Sequence, residues 1–570
     1  MCGIFGLLNK STYLTPKFIN DAFMNGKNRG PETSKYTFIN SHTEFGFHRL
    51  AINGLNEESN QPMEQNDCIL ICNGEIYNYD VIYKNEGFTA KTRSDCEIII
   101  HLYKKYGIRK TLEILNGEFA FVLYDKEANK MYVARDPHGV RALYGGYEPR
   151  TSDIGNKFGS IMFASELKML FPFYQVNREI HIEQFYPGTF TTLEYINDSE
   201  KSGWQIVTKA EKYYQRKRHW EAGWSISDDI EETILKTINN TLNECVKRRV
   251  TTSERQIACL LSGGLDSSLV TALVAKYYGA ENLETYSIGM PGSEDAKYAK
   301  KVAEHLGTKH TEIVLSENDF FEAIPDVIRT IESYDTTTIR ASTGNYLVSK
   351  YISENSNAKV IFNGDGSDEV CGGYMYFHKA PNAETFDQEC HNLLDNIYTF
   401  DVLRSDKSIS SNGLEPRTPF LDKEFVDMYL SIPVKYRYHA GNGQCEKYLL
   451  RKAFDNDNLL PKEVLWRTKE AFSDGVSSHK KSWFEIINDK ITEKYGEHFN
   501  KVSIRDNLHN SPKTPEQRFY RDIFEKNYSN MGHLLPFFWM PKYVKATDSS
   551  ARTLSEYSKE INKTHVELVK

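Results

Sequence analysis

The sequence predicts two domains of different class, an α+β sandwich of short strands followed by an α/β domain built on a parallel sheet. Three observations carry this. At 570 residues and 65.7 kDa the chain exceeds what one hydrophobic core supports, since roughly 100–200 residues make a domain. The first 190 or so residues read as short apolar runs between Gly, Asn and Asp, and the rest alternates apolar strand, glycine-rich turn and helical pattern.

Taken in order, DCILICN, EFAFVLYD, MYVARD and IMFAS are the strands of the first domain. Runs this uniformly apolar suit strands covered on both faces. Cys68 and Cys72, four apart in CILIC, read as buried positions of one strand. Between about 195 and 230 the pattern breaks into polar and aromatic sequence, and a new unit opens with SISDDIEETILKTINNTLNECVKRR. Ile230, Ile234, Ile238, Leu242 and Val246 recur every fourth residue, Ser227 can cap, and Asp228, Asp229, Glu231 and Glu232 suit the positive helix end. The strand IACLL follows, then the turn SGGLDSS and the helical pattern LVTALVAKYYG. Strand and glycine turn recur at ETYSIGM and KVIFNGDGSDE, as parallel sheets covered by helices require.

Composition excludes several classes. Apolar residues at 40%, charged at 26% and aromatic at 13% describe a globular chain rather than a disordered or fibrous one. A formal net charge of −8 gives no bulk reason to bind nucleic acid or anionic lipid, and short basic runs such as Lys247-Arg248-Arg249 read as solvated helix faces. No run approaches 18 apolar residues and the N-terminus lacks a signal-peptide pattern, so no membrane segment and a cytoplasmic location are expected. Nine scattered cysteines without a C-x-x-C pair argue against a disulfide framework or structural zinc.

Two stretches carry chemistry. The chain begins MCGIFG, and excision of Met1 makes Cys2 the N-terminal residue. Its own α-amine, ordinarily near pKa 8, then lies beside a thiol near 8.5 and can take the thiol proton. A buried structural cysteine is the bland alternative. In SGGLDSS, Gly263 and Gly264 let backbone N–H groups turn toward an anion at a helix N-terminus, without the lysine of a Walker loop. Ser262, Asp266, Ser267 and Ser268 share the turn. The second acidic turn, NGDGSDE, lies about 100 residues on, so Asp266 and Asp368 could share Mg²⁺, with nucleotide phosphates completing its oxygen shell.

SGGLDSS resembles the pyrophosphate loop of ATP pyrophosphatases, which split ATP into AMP and pyrophosphate. With TTIRAS at 337–342, GSDEVCGGY at 366–374, EKYLLRKAF at 446–454 and LWRTKEAFSDGV at 465–476, nearly the whole chain resembles the glutamine-hydrolysing asparagine synthetase family. The resemblance implies an N-terminal-nucleophile hydrolase sandwich at 2–195 acting as a class II glutaminase, a junction at 196–226, an ATP-pyrophosphatase domain at 227–557 and a polar tail at 558–570. It implies ATP, aspartate and glutamine as substrates, Mg²⁺ as cofactor and the homodimer that relatives often form.

The same resemblance assigns residues. Cys2 becomes the nucleophile, with the Asn73 side chain and Gly74 backbone of NGEIYN as oxyanion donors. Arg49 and Ile52, in HRLAI, together with Asn73, Gly74, Glu75 and Asp95, become the glutamine site. Leu260, Ser262, Gly263, Gly264, Asp266, Ser267, Ile288, Gly364 and Lys469 become the ATP and pyrophosphate site, and Thr337, Thr338 and Arg340 the aspartate site. Asp266 and Asp368 hold the metal, and Asp365 handles the proton of attacking ammonia. For Lys447 and Arg417 a direct and a supporting role both stay open.

Three departures stand out. NRGPE replaces the common H-R-G-P-D, placing Asn28 and Glu32 near the glutamine site. Asp365 replaces a glutamate one methylene longer, and Pro416 an alanine. Against amidophosphoribosyltransferase stand SGGLDSS and TTIRAS. Cys2, Arg49, Asn73 and Asp95 argue against a β-lactam synthetase-like cyclase, which needs no ammonia. A degenerate paralogue acting as a nucleotide or amino-acid sensor is the non-enzyme alternative that the departures motivate.

Overall fold

In the computed structural model, the described residues are 1–149, 159–197, 202–216, 229–500 and 509–554. The Ser227 cap, Asp228, junction residues 217–226 and the polar tail at 558–570 lie outside them. The chain divides into two compact units, one of residues 1–215 with 252–255 and 410–415, the other of 216–251, 256–409 and 416–570.

Among the described residues, the first unit holds two six-stranded sheets. In one, Gly3–Leu8 lies between Ile161–Ala164 and Thr43–Arg49, antiparallel to both, with Gly3 opposite His48. In the other, Cys68–Ile76 pairs antiparallel with Gly117–Asp125, Asn73 opposite Ala120. The uniformly apolar runs now have their reason. Along Cys68–Ile76, Cys68, Leu70 and Cys72 join a core that includes helical residues Ile98–Ile100 and Leu102. The alternate residues Ile69 and Ile71 join a second core shared with Ile4, Leu8 and Phe45 of the facing sheet. Cys68–Ile76 is buried on both faces because one face meets helix and the other meets sheet. Cys2 packs against that second core, at the start of its strand.

In the second unit, Lys309–Val314, Glu284–Gly289, Ile257–Leu260 and Val360–Phe362 form a parallel sheet in that order, with short Glu415–Arg417 at its edge. The amphipathic helix begins at Ile230 and runs to Thr251, burying Ile234, Ile238, Leu242 and Val246 as the four-residue spacing requires. Ile257–Leu260 delivers the chain into SGGLDSS, and the helix Leu265–Tyr278 starts at once. Gly263 sits at φ +76°, and a Cβ there would lie 2.4 Å from the Ala299 nitrogen, so only glycine fits.

Candidate functional site

The synthetase half gathers its residues at the carboxyl ends of the parallel strands. One cleft of about 1040 Å³, its solvent-open mouth included, is lined by Leu260, Ser262, Gly264, Asp266, Ser267, Ile288, Thr337, Gly364, Asp365, Asp368 and Lys469. Ser262 and Ser267 hydroxyls lie 2.9 Å apart, and the Ser267 hydroxyl accepts from the Ser262 N–H at 3.2 Å. The turn is thereby held without a side-chain cap on the helix, whose first N–H groups stay available to an anion. Gly364 is the closest approach: its Cβ would lie 2.7 Å from the backbone of Asp266, so the two acidic turns meet only because it has none.

Their carboxylates converge. Lys447 Nζ stands 2.6 Å from Asp266 Oδ1 and 2.6 Å from Asp368 Oδ1, and Lys469 Nζ stands 2.6 Å from Asp368 Oδ2 and 3.6 Å from Asp266 Oδ2. Burial opposes charge on Asp368, yet Lys447 and Lys469 hold its carboxyl well below the usual carboxylate range. Burial likewise opposes the Lys469 ammonium, and Asp368 and Asp266 overcome it, raising its pKa. Among the described residues no cluster of three or more His, Cys, Asp or Glu could hold an ion. Two converging carboxylates still fit Mg²⁺, which binds through one or two carboxylates plus substrate phosphates rather than an all-protein cage.

Asp365 lines the cleft and accepts from Arg404 Nη2 at 2.8 Å through Oδ1, while its buried Oδ2 has no partner. Two residues on in the chain, the Ser367 hydroxyl donates to Asp266 Oδ1 at 2.8 Å. Sequence reasoning missed Ser367, Arg404, Tyr374 and Asp401. Ser367 and Tyr374 lie inside the acidic, glycine-rich turn GSDEVCGGY, which is their signal in the sequence, whereas nothing in the pattern around Arg404 distinguishes it from a surface arginine. Lys447 belongs at the site, since its ammonium bridges both aspartates. Arg417 does not line the cleft. It is fully buried and its guanidinium donates to the Arg249 carbonyl.

Two of the expected aspartate-site residues lie off this cleft, Thr338 on an adjoining cavity that it lines together with Thr337, and Arg340 on neither. Thr338 N and Oγ1 both donate to Asp335 Oδ2, at 2.9 and 2.8 Å, capping the helix Thr336–Asn355. Arg340 donates to Glu516 at 2.9 and 2.5 Å and to Asp548 at 2.7 and 2.8 Å. A guanidinium already forked by two carboxylates of its own chain has no face left for a third. Of the three, Thr337 alone lines the cleft.

In the glutaminase half, the Cys2 thiol faces the Leu50 carbonyl at 3.6 Å, and Arg29 Nε holds the Cys2 carbonyl at 2.9 Å while its Nη1 pairs with buried Glu166 at 2.7 Å. With Met1 in place, burial pushes the thiol up to about 11 and the Met1 amine down to about 6. That amine donates to the Leu414 carbonyl at 3.2 Å.

Asn73 is fully buried, and neither its amide nitrogen nor its oxygen has a partner. An orphaned buried amide costs about 1–3 kcal/mol and marks a donor waiting for a ligand. Gly74 follows it in the strand, opposite Phe119. Arg49 is buried and fixed by the loop it faces, donating to Asn56 O at 3.0 Å, Asn60 Oδ1 at 2.7 Å and Gly54 O. Glu75 accepts from Asn53 at 2.5 Å, and Asp95 from the Ile76 N–H at 2.7 Å. Burial, then Asp80, Asp95 and Glu75, push the Tyr79 hydroxyl above its ordinary value.

The departures acquire reasons. Glu32 Oε2 accepts from the Ala51 N–H at 2.8 Å while its Oε1 pairs with Arg255, whose Nε reaches Ala51 O at 2.7 Å. The longer carboxylate thus clamps the peptide after Leu50, and Glu254 adds to it by accepting from Gly54 N at 2.9 Å. Ile52 is buried in the same segment, its carbonyl accepting from Glu254 N at 3.2 Å. Asn28 is exposed, and nothing in the structure explains its replacement of histidine.

Comparison with known proteins follows the same division. The family "Glutamine amidotransferase domain" matches residues 1–210, and "Asparagine synthase" matches 237–385 and 379–533. "Asparagine synthetase [glutamine-hydrolyzing]" of Gallus gallus is 40% identical over 98% of this chain and 100% of its own. The proteins of the same name from Mus musculus and Homo sapiens are 40% and 39% identical, each over 98% of this chain and 99% of theirs.

Proposed function

The chain belongs to the glutamine-hydrolysing asparagine synthetases, which make asparagine from aspartate with ATP and the amide nitrogen of glutamine, and from that premise we propose which of its residues perform each step. The observation that carries the assignment is the convergence of eleven expected residues on one cleft at the carboxyl ends of the parallel strands.

In the glutaminase, residues 2–195, removal of Met1 gives Cys2 a free α-amine. That amine takes the thiol proton, the thiolate attacks the glutamine amide carbon, and the protonated amine supplies the proton with which ammonia leaves. Asn73 and the Gly74 N–H receive the oxyanion, and water then cleaves the thioester to glutamate. Arg49 takes the substrate carboxylate, Glu75 and Asp95 its ammonium, and Ile52 the wall beside them. Arg29 and Glu32 are positioning residues, one for the Cys2 carbonyl and the other for the peptide after Leu50.

In the synthetase, residues 227–557, the aspartate β-carboxylate attacks the α-phosphorus of ATP and pyrophosphate leaves. Ser262, Gly263, Gly264, Ser267 and the helix start receive the departing phosphates, Lys469 and Lys447 balance their charge, and Leu260, Ile288 and Gly364 shape the nucleotide wall. Asp266 and Asp368 would hold Mg²⁺, which neutralises pyrophosphate charge when bound. Ammonia attacks the acyl carbon of β-aspartyl-AMP, Asp365 Oδ2 takes its proton, and AMP leaves. Thr337 contacts aspartate, while Thr338 and Arg340 hold its helix in place. The reading includes the junction at 196–226 and the tail at 558–570. It places the enzyme in the cytoplasm, supported by nine free cysteines, acting on small molecules rather than nucleic acid or membrane, as its net charge supports. No helix among the described residues is long and apolar enough to cross a membrane. The homodimer rests on the resemblance alone.

Asn73→Ala tests the oxyanion assignment. Glutaminase kcat is expected to fall about 10²- to 10³-fold with glutamine KM little changed, and an unchanged kcat in steady-state assays would refute it.

A further inference from the structure

Lys447 and Lys469 reach the two aspartates from positions outside the regular elements. Lys447 sits at φ 56°, in the left-handed region, where a residue with a Cβ persists only if its surroundings over-determine it. Lys469 lies in the stretch between the short helices Lys462–Leu465 and Phe472–Gly475. Its N–H donates to a side chain, Glu446 Oε1, at 2.9 Å.

The same carboxylate serves both lysines. Glu446 precedes Lys447 in the chain and is fully buried with Arg451. Arg451 braces the two segments against each other. Its Nη2 pairs with Glu446 Oε1 at 2.5 Å, its Nε donates to the Glu446 carbonyl at 2.9 Å, and its Nη1 donates to the Leu465 carbonyl at 2.6 Å. Glu446 Oε2 faces His378 Nε2 at 3.9 Å. Burial opposes charge on Glu446, yet Arg451 and then His378 hold its carboxyl down at about 2. A guanidinium engaged through all three nitrogens fixes direction as well as distance. The contacts end at the peptide before Lys447, at the Lys469 N–H and at the helix end four residues before Lys469. Neither Glu446 nor Arg451 lines the cleft, so what they do for the chemistry passes through the lysines.

We propose that Glu446, braced by Arg451, is a positioning residue of the synthetase half, setting the backbones of Lys447 and Lys469 so that both ammonium groups stand at Asp266 and Asp368, where pyrophosphate leaves. The proposal rests on the pyrophosphate reading above and adds to it the group that holds the two cations in register. Register matters, because a displacement of about 1 Å at a catalytic group costs on the order of 100-fold in rate.

The test measures aspartate-dependent AMP release by the full-length enzyme with ATP, Mg²⁺ and ammonium chloride, for Glu446→Asp, Lys469→Ala and the two combined. Glu446→Asp keeps the charge for Arg451 but is one methylene too short to hold the Lys469 N–H as well. It should lower kcat about 100-fold and leave ATP and aspartate KM within about threefold, a split that general loosening of the fold would not give. In the Lys469→Ala background the same substitution should cost less than about tenfold, the share carried by Lys447. If Glu446→Asp fails to fold, Glu446→Gln combined with Arg451→Met takes its place with the same expectations, because exchanging both members of a buried ion pair for neutral side chains is often tolerated. A folded Glu446 variant with wild-type kcat, or a loss that stays near 100-fold in the Lys469→Ala background, would overturn the positioning role alone. Lys469→Ala with wild-type kcat would overturn the pyrophosphate reading and the positioning role together.

Discussion

Cys2→Ala is expected to abolish glutamine-dependent asparagine formation, by on the order of 10⁴-fold or more, while synthesis from ammonium salts continues at the wild-type rate. The magnitude follows from removing a nucleophile for which no neighbour can substitute, since the acyl-enzyme step then has no atom to form on. The selectivity follows from the fold. Cys2 opens an antiparallel strand whose partners lie in the first unit, whereas every residue lining the nucleotide cleft belongs to the second. Asparagine measured by chromatography with each nitrogen donor checks both halves of the statement. Loss of ammonium-dependent synthesis in a folded variant would contradict two separable sites.

The complementary variant is Asp266→Ala. It removes the acceptor of Lys447, Lys469 and Ser367 together, and leaves Asp368 to balance two ammonium groups. Aspartate-dependent AMP release should fall at least about 10³-fold, because charge placement on the departing pyrophosphate is where such a site gains most of its rate. Basal glutamine hydrolysis should remain, and it reports at once that the rest of the chain has folded. AMP release within about tenfold of wild type would remove Asp266 from the nucleotide machinery.

What was legible in the sequence was local. Glycine at 263 is forced by a left-handed turn, the helix after it by an apolar run, and the strand before it by IACLL, so SGGLDSS declared its geometry from its immediate neighbours. Alternate burial on two faces made DCILICN an uninterrupted apolar run, readable as a strand. The exposed-edge strand Lys309–Val314 carries the burial pattern exposed, half, half, exposed, buried, exposed, and so lacked the apolar signal on which the reading relied.

Long-range pairing was not legible. Arg340 was the right residue type for a substrate carboxylate, but Glu516 and Asp548, about 200 residues away, reach it first. Lys447 arrives at Asp266 across 181 residues from a left-handed backbone position, φ 56°, that no periodicity foretells. Residues 252–255 and 410–415 pack with the first unit although they are flanked in the chain by segments of the second, and Arg255 clamps the peptide after Leu50 from there. Charges placed singly read as surface charges; only the fold shows which are spent on each other and which remain for substrate.

The measurement that bears most directly on the account is a product balance. The purified protein, with loss of Met1 verified by mass, is incubated with Mg²⁺, ATP, aspartate and either glutamine or ammonium chloride, and AMP, asparagine and glutamate are quantified. Equal amounts of AMP and asparagine from both donors, with matching glutamate when glutamine is supplied, is the predicted result. A folded, ATP-binding protein that releases no AMP in the presence of aspartate would contradict it, and would point to Asp365 as a carboxylate too short for the chemistry.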